Sequence, residues 1–322
     1  MLDEKKLLIT GGTGSFGKKL LETINQKFPN CLVTVYSRDE LKQSELKSKF
    51  PNVRFIIGDV RDKERLGRAM YGADYVIHAA ALKQVPSCEI NPFECVKTNV
   101  LGANNVIECA TEAKVERVLA LSTDKAAGAI NLYGATKLCA DKMFMAANLL
   151  TPETIFSSAR YGNVMGSRGS IMPYFIEQKK NGLPLTITDN KMTRFNITLD
   201  EAVNFVIHCL ETMLGGEIFV PKMQSYRVLD VAEAVDPGGA RIVTGIRPGE
   251  KVNEDIIHGA DALNTLDCGS FYVIKPSWES FDKYQLYYLG RPCSAGFQYS
   301  SNSSRKYLSV DRLRTLIKEN VK

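Results

Sequence analysis

Short apolar runs alternate with amphipathic stretches over the first half of this 322-residue chain. Apolar, often β-branched runs occur at 6–10, 31–36, 54–57, 75–79, 117–121 and 154–160. Segments with helical spacing fall between them: Phe16–Phe28, Arg61–Tyr71, Pro92–Ala113 and Tyr133–Leu150. Strands spaced by helix-length segments imply βαβ units, right-handed crossovers and a parallel sheet. After residue 160 the pattern loosens. A Gly/Ser loop lies at 166–170, a further helix is expected over Asp200–Leu214, and short elements punctuated by Pro and Gly follow. The polar stretch 293–304 predicts an irregular tail. The expected fold is α/β: a Rossmann-like, doubly wound parallel sheet with a smaller C-terminal substrate domain. The first domain would span 1–165, with 192–215 returning to it. Residues 166–191 and 216–322 would form the second.

Composition narrows the class. Hydrophobic residues make up 44% and charged residues 24%, as in an ordinary soluble enzyme. A formal charge of +5 is too weak to argue for nucleic acid, but it suits an anionic substrate. No stretch is long enough to span a membrane, and the N-terminal apolar run is too short for a signal peptide. Eight scattered Cys without a CxxC pattern read as reduced thiols, and a cytoplasmic protein is expected. The three His are far apart in sequence, so no metal site is expected.

Chemistry enters where the first strand ends. Gly11, Gly14 and Gly17 follow that strand and open the first helix, with Thr13, Ser15 and Phe16 between them. Glycines there permit a tight turn and let the backbone approach a pyrophosphate at a helix N-terminus. The second strand ends in Ser37, Arg38 and Asp39, with Lys42 one turn on. A hydroxyl followed by a guanidinium suits a ribose 2′-phosphate better than a 2′-hydroxyl, so NADP is the expected cofactor. Asp59 and Val60, after the third strand, sit where an adenine edge could be met. Ala79, Ala80 and Ala81, after the fourth, leave room for a dinucleotide close to the backbone.

Tyr133 and Lys137 form a YxxxK pair on one helix face. An ammonium beside a phenol favours phenolate and makes a usable base. Thr123 ends the fifth strand, where a hydroxyl can polarise a substrate carbonyl. Asp124 and Lys125 follow it directly. An epimerase or simple reductase needs only the Thr, Tyr and Lys; two more ionisable groups suggest additional proton transfers. The bland reading of Asp124 and Lys125 is a surface ion pair on a loop.

The segments YSRDELKQSE, HAAALK, NPFECVKTN, LSTDKA, INLYGATKL, RYGNVMGSRGS, MTRF, GGEIFVPK and GIRPGEK, with the glycine loop, occur in order between residues 5 and 257. Together they resemble the inverting UDP-N-acetylglucosamine 4,6-dehydratases of the extended short-chain dehydrogenase/reductase type. The resemblance implies a redox cycle with no net redox change, run on bound NADP. It implies that Tyr133 takes the 4-OH proton, Lys125 removes the C5 proton and Asp124 protonates the departing 6-OH. Lys125 would have to be neutral, its pKa depressed by Lys137 and the nicotinamide. The product would be UDP-2-acetamido-2,6-dideoxy-β-L-arabino-hexos-4-ulose.

By the same resemblance, Lys83, Asn163, Arg168, Gly169, Ser170, Arg194, Arg247 and Glu250 hold UDP-N-acetylglucosamine or a close UDP-amino sugar. Thr98 and Asn99 order the strand ends, and Val164 lies on the cofactor. A homo-oligomer, dimer or hexamer, is implied through the helices over 92–113 and 133–150. The chain departs from the pattern at Gln84, Ser87, Cys88, Gly128, Ala129 and Asn253, near the expected sugar site.

Overall fold

The computed structural model describes residues 2–303 and 307–321. Among these, ten strands form one large sheet. Its parallel part contains β1 (Lys6–Thr10), β2 (Leu32–Ser37), β3 (Arg54–Ile57), β4 (Tyr75–His78), β5 (Arg117–Thr123), β6 (Ile155–Tyr161) and β10 (Ile218–Pro221). Their spatial order is β3-β2-β1-β4-β5-β6-β10, all parallel. The order reverses between β1 and β4. In open α/β sheets, ligands bind in the crevice at such a point, beyond the strands' carboxyl ends.

Alternation along β1 sets the two layers. Leu7 and Ile9 face one side, where they join α1 (Ser15–Lys27) and α9 (Leu199–Thr212) through Leu20, Leu21, Ile24, Val203 and Val206. Leu8 faces the other, toward α3 (Lys63–Met70), α6 (Gly102–Glu112) and α7 (Leu132–Ala147) through Leu66, Val106 and Phe144. Each such side chain contributes roughly 1.5–3 kcal/mol on burial. Helix α9 starts with a capping box between Thr198 and Glu201, which satisfies orphan N–H groups.

The doubly wound sheet matches expectation, but three local features differ. The stretch 92–113 is helical as expected, but not uniformly α-helical. A short helix α4 (Val85–Ile90) precedes α5 (Pro92–Val96), and a π-helical turn at Lys97–Leu101 separates α5 from α6. Second, the division drawn at residue 216 does not follow the sheet. Strand β10 and the antiparallel strands β14 (Thr265–Asp267), β15 (Phe271–Ile274) and β16 (Arg291–Pro292) extend the large sheet beyond β6. These strands are too short for periodicity to assign. Third, the expected tail carries order. Strand β17 (Tyr299–Ser300) pairs with β13 (Asp255–Ile257), although Ser304 lies outside the described residues.

A second core forms beside the sheet. Met165, Met172, Phe175, Leu185, Ile187 and Met192 pack with Tyr226, Val228, Val231, Leu308, Leu313 and Leu316. These come from α8 (Ile171–Lys180), β8 (Leu185–Ile187), α10 (Val228–Val235), α12 (Val310–Asn320) and their flanks. A small sheet of β7 (Asn163–Val164), β9 (Thr193–Ile197) and β11 (Gln224–Arg227) joins this core to the main one.

Candidate functional site

The glycine loop sits at the sheet's switch point. A Cβ on Gly17 would lie 2.1 Å from the Gly12 carbonyl oxygen, so only Gly lets α1 start this close to the loop. Gly14 caps α1 in extended conformation with no side-chain cap bond, leaving N–H groups of the first turn for a ligand. Ala80 packs directly on Gly11: a Cβ there would lie 2.8 Å from Ala80 Cα. Thr13 is buried, and Phe16 stacks on Tyr161 with ring centroids 6.4 Å apart.

The end of β2 differs from expectation in its details. The Ser37 hydroxyl accepts from Gln43 Nε2 at 2.9 Å, which leaves its O–H to donate. Lys42 bonds back to Asp39, the N-cap of α2 (Glu40–Lys47). Arg38 remains, 54% exposed, with Nη1 3.5 Å from Asp59 Oδ2. Asp59 is itself gripped by Arg61 at 2.6 and 2.9 Å. Although burial raises the Asp59 carboxyl, Arg61 more than offsets this and its pKa is lowered. Val60 turns its side chain into the core against Gly102, and its carbonyl accepts from Asn105. Only its N–H is left for a ligand.

Thr123, Asp124, Lys125 and Tyr133 do converge. Adjacent residues of β5 face opposite ways. The Ser122 hydroxyl donates to Asp141 at 2.7 Å, behind the site, while Thr123 donates to Asp124 Oδ1 at 3.0 Å and also meets the Tyr133 phenol. The turn Asp124–Ala126 follows, and Lys125 Nζ donates to Asp124 Oδ1 at 3.1 Å. Gly134, between the Tyr and Lys of the pair, lets α7 press on this turn: a Cβ would lie 2.1 Å from the Lys125 carbonyl oxygen.

Two charge assignments are corrected. Burial raises the Tyr133 phenol to about 12, and the largest charge opposing this is that of Lys125, not Lys137. Lys137 lies deeper, where burial lowers its pKa against the pull of Asp141. Lys125 is not driven toward the neutral amine either. Burial opposes its charge, but Asp124 and Glu254 together outweigh this and hold it above the usual lysine value. The bland reading of a solvated surface pair also fails, since Asp124 is 1% exposed.

Glu254 was not anticipated. It lies just beyond the GIRPGEK segment, in which Glu250 and not Glu254 was singled out. Its Oε1 lies 3.2 Å from Lys125 Nζ and 3.8 Å from Arg194 Nε. Arg194 was expected to hold the UDP-sugar, but it is 6% exposed and its Nη1 donates to the carbonyls of Thr193 and Val252 at 2.7 and 2.9 Å. Glu250 accepts from Arg247 at 2.9 and 3.1 Å and from Arg194 at 3.3 Å, so both its oxygens are engaged. That arrangement competes with a contact to the UDP-sugar.

Lys83 Nζ donates to the Arg168 carbonyl at 3.0 Å, and burial, aided by Lys125, lowers its pKa. Arg168 is exposed, and its charge reaches Asp39 at the dinucleotide end. Asn99 holds Leu82 through both its N–H, at 2.8 Å, and its carbonyl, at 2.9 Å, and donates to Thr136 at 3.0 Å. It is a brace for the loop after β4, and the π-helical turn aims it there. Gly169 has φ +76° at the tip of the loop before α8, and Val164 pairs with Ile197. Thr98 Oγ1, Asp124 Oδ2, Asn163 Oδ1, Ser170 Oγ and Glu254 Oε2 are buried without a hydrogen-bond partner among the described residues. Buried polar atoms are rarely left so, and groups like these are what a polar ligand would satisfy.

A family described as polysaccharide biosynthesis protein matches residues 7–276. The chain is 46% identical to a Campylobacter jejuni protein named UDP-N-acetylglucosamine 4,6-dehydratase (inverting), over 98% of each chain. It is 39% identical to a Rickettsia canadensis protein named UDP-glucose 4-epimerase, over 98% of this chain and 96% of that one. The solved structure of Pen from Bacillus thuringiensis superposes with a TM-score of 0.90 at 36% identity, covering 99% of this chain and 98% of that one. No described helix is long and apolar enough to cross a membrane. With the family match spanning most of its length, the chain belongs to the polysaccharide biosynthesis protein family.

Proposed function

We propose that this protein is a UDP-N-acetylglucosamine 4,6-dehydratase that inverts C5. The carrying observation is the Asp124–Lys125 pair, with Nζ···Oδ1 at 3.1 Å, on the turn that also places Thr123 against Tyr133. A 4-epimerase has no use for an acid and a base beside its Thr and Tyr. An elimination across C5 and C6 needs both.

Tyr133 accepts the 4-OH proton as its own phenol proton passes through the Thr123 hydroxyl to Asp124, which is thereby protonated for its later role as acid. NADP, when bound, supplies the redox chemistry at C4 and C6. Lys125 then takes the C5 proton, made acidic by the neighbouring 4-keto group, while Asp124 protonates the departing 6-OH. Reprotonation from the opposite face inverts C5.

The glycine cradle and the bare N-terminus of α1 fit a dinucleotide pyrophosphate. The exposed Arg38 supports NADP over NAD, through a charge-assisted contact to a 2′-phosphate. Lys83, Arg168 and Arg247 supply positive charge for the UDP diphosphate, and Asn163 and Ser170 supply unpartnered polar atoms. The lobe around the second core is the sugar-nucleotide side. The protein acts in the cytoplasm as a homo-oligomer, and exposed Ile90, Phe93 and Leu101 on the face of α4 to α6 support the latter.

The test is NMR of the product from UDP-N-acetylglucosamine in D₂O. The expected product is the 4-keto-6-deoxy sugar of β-L-arabino configuration with deuterium at C5. Recovery of the C4 epimer alone would make the protein an epimerase, and a deuterated product with C5 retained would remove the inversion.

A further inference from the structure

We propose that Glu254 is a third member of the elimination site, which positions Lys125 and accepts the proton that Lys125 sheds to become a base. The inference rests on the function proposed above and adds a residue to it.

Three observations carry it. Glu254 is 2% exposed, so its carboxylate is not an incidental surface charge. Its backbone is clamped: the N–H donates to Ser301 Oγ at 2.9 Å, and the carbonyl accepts from Ser301 N at 2.8 Å and Ser300 Oγ at 3.2 Å. The side chain is thereby aimed at Lys125, with Oε1 3.2 Å from Nζ. Third, Oε2 is buried with no partner among the described residues, so one oxygen remains free to carry a proton.

The proton balance explains why a second carboxylate is needed. In the resting site Lys125 is an ammonium and cannot attack C5–H. Moving its proton to Glu254 gives a neutral amine and a neutral carboxylic acid, with no net change in charge. Asp124 is a poorer acceptor for this step, because Oδ1 already takes the Thr123 hydroxyl bond at 3.0 Å and the carboxyl is needed as the acid for the 6-OH. Burial and the negative charge of Asp124 raise the Glu254 pKa against Lys125 and Arg194, so the carboxyl holds a proton more readily than an ordinary glutamate. The charges facing Glu254 are Lys125 and Asp124 from the turn and Arg194 from β9, with Glu250 behind Arg194. Tyr226 of β11 faces the same Lys125 and Arg194, its pKa raised to about 12 mainly by burial.

Glu254→Gln keeps the shape and removes the titration. In UDP-N-acetylglucosamine and D₂O, the variant is expected to bind substrate within a few-fold of wild type. Dehydration and C5 labelling should fall by ~10²-fold or more. The deficit should shrink as pH rises, because bulk base can then strip Lys125. In ligand-free protein carrying ¹³C-lysine, the Lys125 titration midpoint should move to lower pH in the variant, since a neighbouring negative charge is gone. Glu254→Asp should restore part of the rate. Unchanged C5 labelling in Glu254→Gln would overturn the proposal, as would an unmoved Lys125 midpoint. Equal inactivity of the Gln and Asp variants, with lowered thermal midpoints in both, would make Glu254 structural and also overturn it. If wild type neither dehydrates nor labels, the proposed function fails instead, and the Lys125 titration still judges the Glu254 coupling.

Discussion

Gly134 of α7 lies against the Lys125 carbonyl, with room for hydrogen but not for a methyl group, since a Cβ would come within 2.1 Å of the oxygen. The contact sets the spacing between the helix that carries Tyr133 and the turn that carries the acid and base. Gly134→Ala should force helix and turn apart at a cost of about 1–3 kcal/mol in stability. Dehydration should fall much further than UDP-sugar affinity. Thermal unfolding and turnover measured on the same preparation check this; a variant with native turnover would mean that the spacing is not critical.

Lys125→Ala should bind UDP-N-acetylglucosamine but lose dehydration by ~10²–10⁴-fold, the usual cost of a positioned base. C5 should then take up no deuterium from D₂O. Normal labelling in this variant would take Lys125 out of the base role and leave Asp124 as the candidate.

Arg38→Ala should weaken NADP far more than NAD, because a hydrogen bond to a charged group is worth roughly 1.5–3 kcal/mol. The exposure of Arg38 places the effect at the lower end. Calorimetry with both cofactors checks it, and equal losses would remove the 2′-phosphate assignment.

His78 gives a pH dependence of stability with a definite sign. It is buried, its Nδ1 2.8 Å from Thr10 Oγ1, and burial, with help from Lys137, lowers its pKa from 6.5 to about 3. Between those values the unfolded chain binds a proton that the folded chain refuses. This contribution is therefore complete above about pH 6.5 and declines as pH falls toward 3, by at most ~1.4 kcal/mol per pH unit. Thermal midpoints of His78→Gln should fall less steeply than those of wild type between pH 7 and 5. Parallel slopes would show that His78 protonates freely in the folded protein.

The sheet was legible because β1 to β6 are apolar runs held apart by amphipathic helices, a pattern that survives any detail of packing. The glycine loop and the Thr123, Asp124, Lys125, Tyr133 cluster were legible because each has a fixed place at a strand end or helix start. Glu254 was not. It reaches Lys125 only because β13 packs beside the 124–126 turn, and nothing local in a charged segment reports a contact made across so many residues. The charge on Lys125 was misjudged for the same reason: its second carboxylate comes from that distant strand. Asn99 orders a strand end as expected, holding Leu82 just after β4. Strands β14 to β16 escaped because two to four residues carry no periodicity.

The second core takes Met165 and Phe175 from the middle of the chain, Val231 from later, and Leu313 and Leu316 from later still. During synthesis the parallel sheet from β3 to β6 has all its strands well before α12 leaves the ribosome. Until then Phe175 and Val231 lack the partners that cover them. A nascent chain stalled before residue 308 would therefore present a finished dinucleotide half and a sticky, half-built neighbour, the kind of intermediate that holding chaperones recognise.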